Sequence, residues 1–281
     1  MLVDAERWLR DLPAELGQQR DLIDGLLRDA RNDPRIRLFV VGCSIGRGAA
    51  DRLSDVDALL GVREDAWSDL ITQSEAIVRR AGEIVDLWQQ VIQPSALDAR
   101  TFQHTFALYA SGVQLDLVVA RARDRQTPGP DWIVLHDPDG TVSAEPRATT
   151  ATEEQVRQWM YNGLVHLSGC AKYLARGSAW EAHLQLEEAR AELWRLWAAA
   201  SRVADAQYGL TAVLDDPRRP MPAKIERTVA SLDLTSTHAA AIACVNLFIE
   251  TWPRAIAAVA EDMEPPALAA WVHDQLSSAP T

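Results

Sequence analysis

The chain has 281 residues, 48% of them apolar, enough to bury a sizeable core in one large domain or two modest ones. Its net charge of −12 excludes broad nucleic-acid binding through phosphate neutralisation and suits a cationic partner better. Cys43, Cys170 and Cys244 give neither a disulfide framework nor zinc spacing, and with no leader and no apolar run near ~20 residues the expectation is a soluble cytoplasmic protein without membrane contact.

Residues 1–30 read as helix, with Trp8, Leu9, Leu12, Leu16, Ile23, Leu26 and Leu27 near helical period and Pro13 interrupting. Asn32-Asp33-Pro34 ends it, and Arg35 to Val41 reads as the first strand. A turn at Gly42-Cys43-Ser44 and a short helix lead through Ser54-Asp55-Val56-Asp57 into a second strand. Glu64 to Ala81 has the spacing of a long helix. Ile84 to Ile92 and Phe102 to Tyr109 read as strands, with a loop at 94–99 between them. Ser111-Gly112 makes a hairpin turn into Val113 to Val119, and Trp132 to Leu135 is a further short strand before the turn His136 to Gly140. Strand signals stop at a polar stretch, 141–152. Helices are expected at 153–176, 180–207, 221–232, 236–260 and 265–277, with a linker at Asp215 to Pro220. The expected class is α+β. A domain at 1–150, holding a small mixed β-sheet flanked by helices, precedes an all-helical bundle at 151–281.

The chemistry concentrates between Val40 and Val62, VVGCSIGRGAADRLSDVDALLGV. Side chains two apart on a strand share a face, so Asp55 and Asp57 point the same way. Two carboxylates beside a small-residue turn suit Mg²⁺, which takes one or two carboxylates and fills its shell with phosphate oxygens. The turn offers backbone N–H groups from Gly42 onward, the Ser44 hydroxyl and a helix start, all suited to phosphate. The plain alternative is a surface turn carrying two solvated acids. Asp116 lies mid-strand in an apolar run, where a charge is costly unless paired or bound to metal. It could instead be an edge-strand acid facing solvent. Arg47 could neutralise phosphate or be a solvated arginine. His104, His136, His166 and His183 show no metal spacing and read as structural or surface residues.

The hydrophobic-Gly-Ser turn, the spacing from Ser44 to Asp55, Arg47-Gly48 and the Ser-Asp-x-Asp together resemble the signature of the DNA polymerase beta-like nucleotidyltransferase superfamily. Cys43 stands where that superfamily usually has glycine. Trp159-Met160-Tyr161-Asn162, Lys172 to Arg176 and Arg190 to Trp197 resemble the bacterial aminoglycoside 6-adenylyltransferases, as do the strand around Asp116 and Trp132 to Gly140. That resemblance runs over roughly residues 36–200; the family's glycine- and lysine-rich stretch near the C-terminus has no match here. The resemblance implies an Mg²⁺-dependent transfer of AMP from ATP to a hydroxyl of a small cationic acceptor, in a site between the two domains. It implies Asp55, Asp57 and Asp116 as metal ligands, with Asp116 also able to serve as general base. Gly42, Ser44 and Arg47 would meet the phosphates, and Lys172 would reach the triphosphate from the helical domain; a solvated lysine is the alternative. Two rival readings are a transferase acting on a protein, as in toxin–antitoxin pairs, and a nucleotide-binding protein without catalysis. The oligomeric state stays open.

Overall fold

The computed structural model describes residues 2–93, 101–125, 129, 131–142, 150–215, 220–260 and 263–278. The loop expected at 94–99 lies outside the described residues, as do 143–149 of the polar stretch and 216–219 of the linker. The chain divides into two compact units, Met1–Arg147 and Ala148–Thr281.

In the first unit, α1 (Ala5–Asp11) is capped by Asp4, whose side chain accepts from the Arg7 N–H at 3.1 Å. Pro13 follows it, and after a 3₁₀ turn α2 (Gly17–Asn32) buries Leu22, Ile23, Leu26, Leu27 and Ala30 on one stripe. Then come β1 (Ile36–Val41), α3 (Cys43–Gly46), β2 (Val56–Val62) and α4 (Trp67–Arg80). They are followed by β3 (Ile84–Ile92), β4 (Phe102–Tyr109), β5 (Gln114–Arg121) and β6 (Ile133–His136). The six strands form one mixed sheet in the order β3-β4-β5-β2-β1-β6. Only β2 and β5 run parallel, at its centre; the other pairs are antiparallel.

Strand alternation gives the sheet two unlike faces. One carries Phe39, Val41, Val56, Leu60, Ala107, Leu115 and Leu117, all buried in the core that includes Ile23, Leu26, Leu70 and Ile77 of α2 and α4. The other carries a smaller cluster of Leu38, Val40, Leu59 and Val134. Asp57, Asp116, His104, Phe106 and Trp88 alternate onto this second face, towards the β3 side of it.

The second unit is helical: α5 (Glu153–Ala175), α6 (Ala179–Ala200), α7 (Leu210–Leu214), α8 (Leu234–Ile256) and α9 (Ala267–Ser278), around a core that includes Leu164, Leu193, Phe248 and Trp252. A capping box between Thr152 and Gln155 starts α5. Two expectations fail here. The helix expected to 207 stops at Ala200, because Arg202 adopts φ 53° and closes α6 by N–H bonds from Arg202 to Ala199 and from Val203 to Ala198, both 2.9 Å. The helix expected at 221–232 shrinks to a 3₁₀ turn, Ile225–Thr228, since Pro222 and a left-handed Lys224 (φ 66°) leave no room for a regular start. The α+β class holds. Among the described residues no helix is long and apolar enough to cross a membrane.

Candidate functional site

The β1–β2 connection is built onto the strand that carries Asp57. Gly42 donates its N–H to the Asp57 carbonyl at 3.0 Å, and α3 closes with N–H bonds from Gly46 to Gly42 and from Arg47 to Cys43, also 3.0 Å. At four residues α3 has little macrodipole. It presents instead the Ser44 side chain and first-turn N–H groups, which have no intrahelical acceptor. Ser44 Oγ is buried and has no hydrogen-bond partner among the described residues. Cys43 adopts φ 52°, the left-handed region that favours glycine. The glycine-type backbone is therefore kept, with a thiol placed on it.

That thiol donates to the Asp57 carboxylate. Its surface is open, yet the surrounding protein desolvates it, and with the Asp57 charge this pushes its pKa up and keeps it protonated. The carboxyl of Asp57 is pushed up to about 6, by burial first and then by the Asp55 charge. The Cys43 hydrogen bond opposes that shift, while Asp116 and Asp131 add to it. Asp57 thus sits in an excess of negative charge.

Asp116 lies directly opposite Asp57 in the parallel β2–β5 ladder. Asp116 is not on an edge strand, because β5 runs between β4 and β2, yet its side chain still reaches solvent, 40% exposed. His104 Nε2 stands 2.6 Å from Asp116 Oδ1, so the histidine read as structural or surface touches a candidate site acid. Asp55 is exposed, one residue ahead of β2. Its approach is held by Gln19, a fully buried polar side chain of α2 that donates to the carbonyls of Arg52 (3.3 Å) and Ser54 (3.0 Å). The three acids are neighbours and not a converged triad: among the described residues, no three His, Cys, Asp or Glu side chains are grouped to hold a metal ion by themselves.

Arg47 forms an ion pair with Asp131 at 3.0 Å, so its charge is already engaged beside the turn. Lys172 belongs to the second unit. Its Nζ lies 4.4 Å from the centre of the Tyr173 ring, and it lines a recess of about 740 Å³ with Gln185, Trp271 and Gln275.

Gly46, not Gly42, is the glycine the turn cannot replace. A Cβ at Gly46 would stand 1.8 Å from the Asp131 carbonyl oxygen, whereas at Gly42 the nearest atom is Trp132 Cδ1 at 3.4 Å. Gly46→Ala should therefore destabilise the first unit by about 1–3 kcal/mol, as overpacking against backbone does, and Gly42→Ala by less. Equal thermal midpoints for the two variants would contradict this packing.

Three residues of the site were not singled out in the sequence, Gln19, Gly46 and Asp131, and a fourth, His104, was read there as structural or surface. For His104 a signal existed. Counting outward from the Ser111-Gly112 turn pairs Leu108 with Gln114 and Phe106 with Asp116, which sets His104 on the diagonal to Asp116.

No family model matches the chain, and no curated protein matches it in sequence. Among solved structures it is similar to an aminoglycoside 6-adenyltransferase from Bacillus subtilis, with 18% identity over 95% of this chain and 98% of that one and a TM-score of 0.41. A likeness of that size does not bear on chemistry, which rests on the residues above.

Proposed function

We infer that the protein is a nucleotidyltransferase that moves AMP from ATP, with Mg²⁺, to a hydroxyl of a small cationic acceptor such as an aminoglycoside. The observation that carries this reading is the placement of Asp57 opposite Asp116 on the two central parallel strands, beside a turn with a buried, unpartnered Ser44 hydroxyl. The residues present fit a magnesium–triphosphate group. Asp57 has a raised pKa caused in part by surrounding carboxylates, which is the setting a divalent cation relieves. The lack of a three-ligand cluster does not conflict with this, because Mg²⁺ needs only one or two protein carboxylates when phosphate oxygens complete its shell.

Asp57, with Asp55 or Asp116 beside it, would hold the cation. When bound, the cation supplies charge stabilisation at the reacting phosphoryl group. The chain's own residues do the rest. Ser44 gives its hydroxyl to a phosphate oxygen, turning an unmet buried donor into a charge-assisted hydrogen bond. Asp116, held through one oxygen by His104, would accept the proton of the acceptor hydroxyl. Arg47, already paired with Asp131, helps to neutralise phosphate only by sharing its guanidinium. Lys172 remains a proposed triphosphate contact. The acidic balance of the chain, −12, suits a cationic acceptor.

The experiment is incubation of the protein with ATP, Mg²⁺ and a panel of aminoglycosides, reading pyrophosphate release and the gain of one AMP by the acceptor. Release that depends on an acceptor supports the reading, and no AMP on any acceptor contradicts it. Ser44→Ala should weaken binding of a non-hydrolysable ATP analogue by about 1 kcal/mol, and by up to ~3 if the phosphate contact is charged and desolvated. An unchanged dissociation constant would leave the turn without a phosphate contact at Ser44.

A further inference from the structure

On the second face of the sheet, the ladder sets four side chains in one row across four strands. Trp88 of β3 is opposite Phe106 of β4, Phe106 is opposite Asp116 of β5, and Asp116 is opposite Asp57 of β2. Strand alternation puts all four on the face away from α2 and α4, whose core takes up Ala107, Leu115 and Leu117 instead. Trp88, on the edge strand β3, is 53% exposed and Phe106, one strand further in, 36%, so two aromatic faces lie open side by side. The His104 ring meets Trp88 edge to face, with centroids 6.2 Å apart, while its Nε2 reaches Asp116. The tryptophan is thereby tied to the same side chain that holds the candidate base.

We propose that Trp88 and Phe106 are the acceptor subsite: a platform for the apolar ring faces of a small polycationic ligand of the amino-sugar type, with Asp86 receiving an ammonium or guanidinium group and Asp116 meeting the hydroxyl that reacts. This rests on the transferase reading given above for Asp116. Three observations select the occupant. Neighbouring strands are about 4.8 Å apart, so Asp116 to Trp88 spans roughly 10 Å, the length of two linked saturated rings. Cations are drawn to the faces of Trp and Phe, and aromatic faces also cover the C–H faces of sugar rings. The rows flanking this one add Asp86, Gln90 and His104 but no lysine or arginine. A single-stranded nucleic acid would also stack on aromatics, but it needs a basic groove along its phosphates, and this row runs into carboxylates instead. The Ser44 turn leaves Asp57 on the β1 side, and the aromatic row leaves it on the β5 side, towards β3, so triphosphate and acceptor would approach from opposite directions.

The test is calorimetric titration of wild type, Trp88→Ala and Trp88→Phe with streptomycin, and separately with a non-hydrolysable ATP analogue and Mg²⁺. Trp88 is exposed, so neither change should shift the thermal midpoint much. Trp88→Ala should weaken streptomycin binding by about tenfold or more, and Trp88→Phe should restore most of it, because a second aromatic face is present. Affinity for the ATP analogue should stay at the wild-type value in both. Unchanged streptomycin affinity in Trp88→Ala, no streptomycin binding by wild type, or a loss confined to the nucleotide analogue would each overturn the platform. If Trp88-dependent binding is found but no AMP is transferred, the transferase reading fails and the platform stands.

Discussion

Replacing Asp57 by asparagine is expected to abolish AMP transfer while making the protein without ligands more stable at neutral pH. The two effects have one cause. Asp57 is half-buried near Asp55, Asp116 and Asp131, and its pKa in the folded chain is pushed up to about 6, against 3.8 for an ordinary aspartate. Between those values the folded state holds a proton that the unfolded state has released, so stability falls as pH rises from about 4 to 6 and stays lower above that. Two units correspond to ~3 kcal/mol at most, and partial solvation reduces this to about 1 kcal/mol. Asparagine removes the penalty and can still accept the Cys43 hydrogen bond. The advantage of Asp57→Asn should therefore be absent near pH 4, grow to pH 6 and then level off. Saturating magnesium and ATP analogue should reverse the order at pH 7, since ligand at a hundredfold excess over Kd adds ~2.7 kcal/mol to the wild type alone. Turnover should fall by several kcal/mol of lost charge stabilisation, on the order of 10³-fold or below detection. Thermal melts across pH, with and without ligand, read the first part, and pyrophosphate release the second. Wild-type turnover in Asp57→Asn would remove it from the metal site.

Asp116→Asn is expected to separate turnover from nucleotide affinity. The substitution keeps the size of the side chain and an oxygen for His104, but loses the charge and the basicity. If Asp116 takes the acceptor proton, turnover falls by roughly 10²-fold or more, the lower end of general-base contributions. The ATP analogue should lose far less affinity, because Asp57, Asp55 and the Ser44 turn remain. If Asp116 served only to satisfy His104, both quantities would match wild type, and the acceptor base would have to be sought elsewhere.

The strand pattern and the acids of the site were legible because they depend on local rules. Period-two alternation and the Ser111-Gly112 turn place β4 and β5, and the hairpin register then puts Asp116 in line with Phe106. The pairing of Asp116 with Asp57 is a contact between a parallel pair of strands more than fifty residues apart, and nothing local announces its register. Helix ends show the same division. The end of α5 was legible because Gly177 takes the left-handed position (φ 69°) where glycine is expected. The end of α6 was hidden, because Arg202 takes that position, and arginine normally signals nothing of the kind. In the turn, Gly42 matched a sequence signature, yet Gly46 is the one pressed against the Asp131 carbonyl. Gln19 was invisible for a related reason. A glutamine on an amphipathic helix looks like a solvated residue until the chain before Asp55 is seen folded over it.

The central claim is that the Ser44 turn and the Asp57–Asp116 row form a magnesium-dependent triphosphate site. Its most direct test is calorimetric binding of a non-hydrolysable ATP analogue to wild type and to Asp57→Asn, each with Mg²⁺ and with chelator. The account predicts binding by the wild type only when Mg²⁺ is present, and its loss in Asp57→Asn. Binding of equal strength in chelator, or in the variant, would contradict it.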